Sequence, residues 1–130
     1  MEQKLISIQH LKLVISLGDL VERRLINELK LHHFQDENKL LILEKENSAI
    51  SSLISLLTTV DIAYLQDGLR SVLKKQWELL DQVHDKTLNE IERGRYALLA
   101  QSLNIDRIKC KNIINERCGS LLELKEYGPR

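Results

Sequence analysis

Residues 61–118, DIAYLQDGLRSVLKKQWELLDQVHDKTLNEIERGRYALLAQSLNIDRIKCKNIINERC, run 58 positions without a proline and meet no strong helix stop before Gly119. Ile62, Leu65, Leu69, Val72, Gln76, Leu79 and Val83 follow one another in steps of three and four. That spacing keeps one side of a helix apolar and makes a seam for a second helix. Drawn as a single rod, the stretch would be about 87 Å long at ~1.5 Å per residue. A compact chain of this size has a radius of gyration near ~14 Å. The rod therefore either folds back on itself or makes the molecule elongated. Gly94 is the expected weak point, because the apolar phase also shifts around 84–88, and Leu98, Leu99, Leu103, Ile105, Ile108 and Ile113 form a broader stripe after it.

Working outward, the N-terminal side divides into two further helices. Residues 2–31 carry a stripe at Leu11, Val14, Val21, Leu25 and Leu29, broadened by Leu5, Ile8 and Ile15. Gly18 interrupts this helix at a cost of about 1 kcal/mol relative to alanine. His32 to Gln35 break the pattern, and Asp36 supplies a carboxylate that can accept from the free amides of the next turn. The helix over 37–57 has a heptad series of Leu40, Leu43, Asn47, Ile50, Ile54 and Leu57, with Ser48, Ser51, Ser52 and Ser55 on its other faces. Asn47 in such a series either sets register or lies at a wet edge. Thr58 to Asp61 cluster β-branched and capping residues and end the helix.

Towards the C-terminus, Arg117-Cys118-Gly119 places a cation in a last turn and glycine at the left-handed position beyond it. Ser120-Leu121-Leu122-Glu123 then matches a capping box. The expected fold is all-α and a single domain over 1–130. It consists of long antiparallel helices in a coiled-coil-like bundle of three to four helices plus a short C-terminal one, at about 2–31, 37–57, 61–93, 95–118 and 121–126.

Composition agrees: 26 Leu and 13 Ile stand beside only five aromatic residues and one proline. A sandwich or barrel needs regular turn signals that are missing here. Nineteen basic residues balance nineteen acidic ones, so there is no net field for nucleic acid or an anionic membrane. Locally, Arg93, Arg95, Arg107, Lys109, Lys111 and Arg117 face only Asp106 and Glu116 across 93–117. This reads first as a solvated helix face, and a nucleic-acid groove would bring more interleaved aromatics than Tyr96. No run approaches the ~18 apolar residues of a membrane span. Two cysteines eight apart lie about 12 Å apart along one helix, too far to bridge. With no export signal read at the start, a reducing cytosol is expected.

Chemistry is sparse. The five glycines are isolated, and there is no HExxH or CxxC spacing. His32 and Asp36 sit one helical turn apart at a turn, too few ligands for a metal site. His84, between Asp81 and Asp85, reads as a surface histidine, and Arg70, Lys74 and Glu78 as a surface ladder. No catalytic residue, cofactor or metal is expected, and Trp77 is expected to anchor a core or interface.

Two longer stretches carry a resemblance. LEKENSAISSL at 43–53 is similar to the first-hairpin pattern of the FlgN family of flagellar type III export chaperones. NEIERGRYALLAQSL at 89–103 is similar to that family's later helix with its Leu-Leu step, and Tyr127-Gly128-Pro129 to a Tyr-Gly close near its C-termini. Gly94-Arg95 stand where an asparagine is expected before the Leu-Leu step, and the chain stops at Arg130 without the longer tail. The resemblance implies a small cytoplasmic helical chaperone that keeps a terminal helix of a hook–filament junction protein from sticking elsewhere. Its physical counterpart is an amphipathic helix laid on an apolar stripe. The residues expected to carry it are Leu98, Leu99, Ser102, Leu103, Ile105 and Ile108, with Leu121, Leu122, Leu124 and Tyr127 as a C-terminal clasp. The wider expectation is a non-enzymatic helical interaction protein. Its alternatives are a coiled-coil oligomerisation or adaptor subunit that binds itself, and a nucleic-acid-associated regulator using the basic residues of 93–117.

Overall fold

The computed structural model describes residues 15–119 and is all-helical across them. Four helices follow in order: α1 (Leu17–His33), α2 (Glu37–Leu57), α3 (Leu65–Val83) and α4 (Glu90–Arg117). The expected helix over 121–126 and residues 1–14 of the first helix lie outside the described residues.

α1 begins later than the apolar stripe suggests. Ser16 is its N-cap, with extended backbone, and accepts from the Asp19 amide while the Asp19 carboxylate accepts from the Ser16 amide. This capping box ends any continuous helix through Ile15 and Ser16, so Gly18 lies in the first turn rather than mid-helix. The other end runs two residues further than expected, to His33, before Phe34 leaves the helix. α2 keeps the expected bounds. The Asp36 carboxylate accepts from the Asn38 and Lys39 amides, and Thr58 ends the helix in extended backbone.

The 61–118 stretch does fold back, but not at Gly94. α3 starts at Leu65, because Asp61 caps only a turn by accepting from the Ala63 amide. It stops at Val83. A turn over 84–89 follows, in which the Asp85 carboxylate accepts from both the amide and the hydroxyl of Thr87. Asn89 then caps α4 by accepting from the Glu92 amide. Gly94 sits inside α4 with open space where a Cβ would be. The shift of apolar phase marks the break; the glycine does not.

α3 and α4 form a closely packed hairpin, and α1 lies against it while carrying α2 on another side. Among the described helices α2 packs along α1 alone. The core is where α1 meets the hairpin and the start of α3: Leu17, Val21, Leu25, Ile50, Ile54, Ile62, Leu69, Leu73 and Ile114. Val21, Leu69 and Ile114 are fully enclosed. The seam expected from Ile62 to Val83 turns inward as its spacing demands, with Ile62 and Leu69 buried and the others half-buried.

Two polar locks fix the helices in register. Between α1 and α2, Asn27 is 3% exposed and donates to the Asn47 side chain, which donates to the Arg24 carbonyl. Asn47 is therefore a register residue. Between α3 and α4, Gln76 donates to the Ala100 carbonyl and to the Asn104 side chain, both at 3.0 Å.

Candidate protein-binding faces

The inner side of α4 is taken up by α3 and, around Arg107 to Asn115, by α1. The Gly18 amide donates to Asn115 Oδ1 at 2.6 Å. A Cβ at Gly18 would lie 2.8 Å from the Lys111 carbonyl and 3.0 Å from that same Oδ1, so only glycine lets the two helices approach this closely. Lys111, 3% exposed, reaches Asp19 at 2.7 Å and Glu22 at 3.3 Å, and Arg107 also donates to Glu22. A buried ammonium is tolerated because two carboxylates surround it. Burial opposes the charged Asp19 carboxyl, but the bond and charge of Lys111 and the Ser16 cap outweigh it and hold the group below its ordinary range.

Among the described residues, the side of α4 opposite that inner one is uncovered. Ile91, Leu98, Leu99, Ile105 and Ile113 are all exposed, Leu98 at 68% and Ile91 at 71%. Ile91, Leu98 and Ile105 recur every seven residues, and the exposed Ser102 lies among them. Of the expected binding residues, Leu98, Leu99, Ser102 and Ile105 share this open side, whereas Leu103 and Ile108 are half-buried and turn towards the bundle. Leu121, Leu122, Leu124 and Tyr127 lie outside the described residues.

The basic residues of 93–117 are largely spent within the chain. Arg93 donates to the Val83 carbonyl at the hairpin turn, Arg107 and Lys111 hold Glu22, and Arg117 reaches the Tyr64 hydroxyl. Arg95 and Lys109 remain exposed beside the open stripe, together with the acidic Glu92, Asp106 and Glu116.

A second open face was not read from the sequence. On α2 the serines alternate with Leu41, Ile42, Leu53 and Leu56, which are exposed at 51, 63, 42 and 83%. The expected seam residue Leu57 is also exposed. Leu43, Ile50 and Ile54 do face α1, as the heptad requires. The missed signal was the number of apolar residues left over once that seam was drawn. A groove of about 480 Å³ runs along α1, lined by Ile15, Leu20 and Ile26 among others. Arg23 on its edge pairs with Glu46 of α2. That bond, with Asn27 nearby, draws the Glu46 carboxyl below its usual range.

Among the described residues, no three His, Cys, Asp or Glu side chains come together as metal ligands. A smaller hollow of about 260 Å³ between α1 and α3 is floored by Leu25, Leu29 and Leu73 and rimmed by Glu28, His32 and Arg70. Its arginine is already paired with Glu28 and Asp67. Next to it His33 stacks on Trp77, ring centroids 5.0 Å apart, which gives the lone tryptophan an interhelical role. Among the described residues no helix is long and apolar enough to cross a membrane. Compared with family models, characterised proteins and solved structures, the chain matches none.

Proposed function

We propose that this protein is a non-enzymatic binding module that captures an amphipathic helix of another protein on the outer side of α4. The observation that carries this reading is the open row of Ile91, Leu98 and Ile105, with Leu99 and Ile113 beside it, on a helix whose inner side is already filled. Apolar residues at a seven-residue repeat, left in water, match the spacing of a second helix better than that of a strand, whose side chains alternate every two residues. Charges of both signs stand along the row, Arg95 and Lys109 with Glu92, Asp106 and Glu116, so recognition rests on the apolar residues. The sharper form of the reading is the export chaperone implied by the resemblance, its client a sticky terminal helix of a secreted protein.

The test uses the full chain immobilised as bait and a double variant, Leu98→Glu with Ile105→Glu. Both positions are exposed, so the variant should keep the helical circular dichroism of the parent. Loss of at least about tenfold in affinity for the captured protein is expected, since two buried leucine-sized contacts of ~1.5–3 kcal/mol each are removed. Equal capture by parent and variant would sink the assignment of this face. A nucleic-acid ligand would instead show affinity falling steeply with salt.

A further inference from the structure

We propose that the segment before Ile15, residues 1–14, folds back as a helix antiparallel to α1 and fills the groove along that helix. One flank of the groove is Asp19 and Glu22, which are tied to Lys111 and Arg107 of α4. The other flank is Arg23 and Asn27, tied to Glu46 and Asn47 of α2. α2 and α4 do not touch each other, so among the described helices none closes the space between them above α1. Ile15, Leu20 and Ile26 bring apolar surface to it, and Ile15 is 49% exposed.

The course of the chain determines what reaches this groove. Ser16 caps α1 in extended backbone, so the chain upstream leaves the axis of that helix. Ile15 and Leu20 hold the two positions around such a cap whose side chains pack together and fix the angle of entry. Both line the groove, which brings the preceding residues to its mouth. Upstream, Leu5, Ile8 and Leu11 recur in steps of three, the spacing of one helix side. Two antiparallel helices need a connection of only a few residues. A turn centred on Ile15 and Ser16 sets residues equally distant from it opposite each other. Leu11 then meets Leu20, and Leu5 meets Ile26, both of the latter about 16 Å from the turn along the helix axis. The apolar residues of the segment thus fall on the apolar residues of the groove.

Charge does not enter the choice, because Glu2, Lys4 and Lys12 would meet Asp19, Glu22, Arg23 and Lys30, both signs on each side. Attachment does. The apolar surface is small, but a segment joined to it through a short connection is held at an effective concentration of about millimolar. A free occupant has no such advantage. The C-terminal segment sets out from another place, since Arg117 ends α4 against Tyr64 at the start of α3.

Deuterium labelling of the full chain is the first test. Amides of residues 5–13 should exchange at least about tenfold more slowly than in an unfolded chain. Leu5→Glu with Ile8→Glu should abolish that protection and leave α3 and α4 as they are. The second test locates the segment. In a Cys110→Ser, Cys118→Ser background, Leu5→Cys and Ile26→Cys should be joined within one chain by a short bis-maleimide, at a yield independent of protein concentration. Leu5→Cys with Leu56→Cys, on the outer face of α2, should not be joined. Exchange of residues 5–13 at unfolded rates overturns the proposal, as does protection that survives the double glutamate variant. Absence of the Leu5–Ile26 link, or a link that joins two chains, overturns it as well. Linkage of Ile26→Cys to Leu122→Cys would seat the C-terminal segment in the groove and overturn it equally. Leu98→Glu with Ile105→Glu should leave the protection unchanged, so this assignment and that of α4 can fail separately.

Discussion

Gly18 and Gly94 are both helical glycines, and their surroundings give them opposite roles. Gly18→Ala would push a methyl into the Lys111 carbonyl and the Asn115 side chain. It should lower stability by about 1–3 kcal/mol, the usual range for overpacking. Gly94→Ala meets open space in mid-helix and should raise stability by about 0.5–1 kcal/mol. Urea unfolding of the two variants checks both signs. Asp19 links the same contact to pH. Its carboxyl titrates lower in the folded chain than its ordinary 3.8, so the folded state holds fewer protons than the unfolded one near that value. The stability it contributes is present above its unfolded pKa and is lost as pH falls through the folded one. Asp19→Asn should therefore lower the melting temperature at pH 7 and differ less from the parent near pH 3. The Cys110 thiol is pushed up, by burial first and by Asp106 second. It should alkylate slowly at neutral pH, which a timed mass-spectrometric labelling would show. Little of this was legible in the sequence. Ser16-Leu17-Gly18-Asp19 could have been read as a helix start, but the depth of Gly18 depends on Lys111 and Asn115, almost a hundred residues away.

At the level of elements, boundaries were readable where a capping side chain stands next to a clear change of pattern. Asp36 and Thr58 delimit α2 as expected, and Cys118 with Gly119 (φ 67°) closes α4. The hairpin turn was misplaced because the glycine was weighed above the phase shift. A single glycine costs a helix of 28 residues about 1 kcal/mol. The turn at 84–89 instead gains a carboxylate–threonine contact, the Arg93–Val83 bond and an asparagine cap. Asn89→Ala should cost about 1 kcal/mol in thermal unfolding without altering the α4 outer row. A loss of several kcal/mol would mean that Asn89 does more than cap. On α2 the seam was legible and the outer face was not, since the heptad accounts for one side of a helix and is silent about the rest.

Across the whole molecule, sequence periodicity established that helices would pair but could not allot the pairs. With more apolar rows than described neighbours, the arrangement leaves α2 and α4 each with an uncovered side, and α2 and α4 do not touch each other. That is why the expected binding set is only partly assembled: Leu98, Leu99, Ser102 and Ile105 point outward, while Leu103 and Ile108 contribute to the hairpin.

α2 has one further property that follows from its position. A strip fastened along a single edge peels before a strip clamped on several, because fewer apolar contacts must be broken to lift it. In deuterium labelling, the α2 amides should therefore exchange ahead of those in α3 and the inner half of α4.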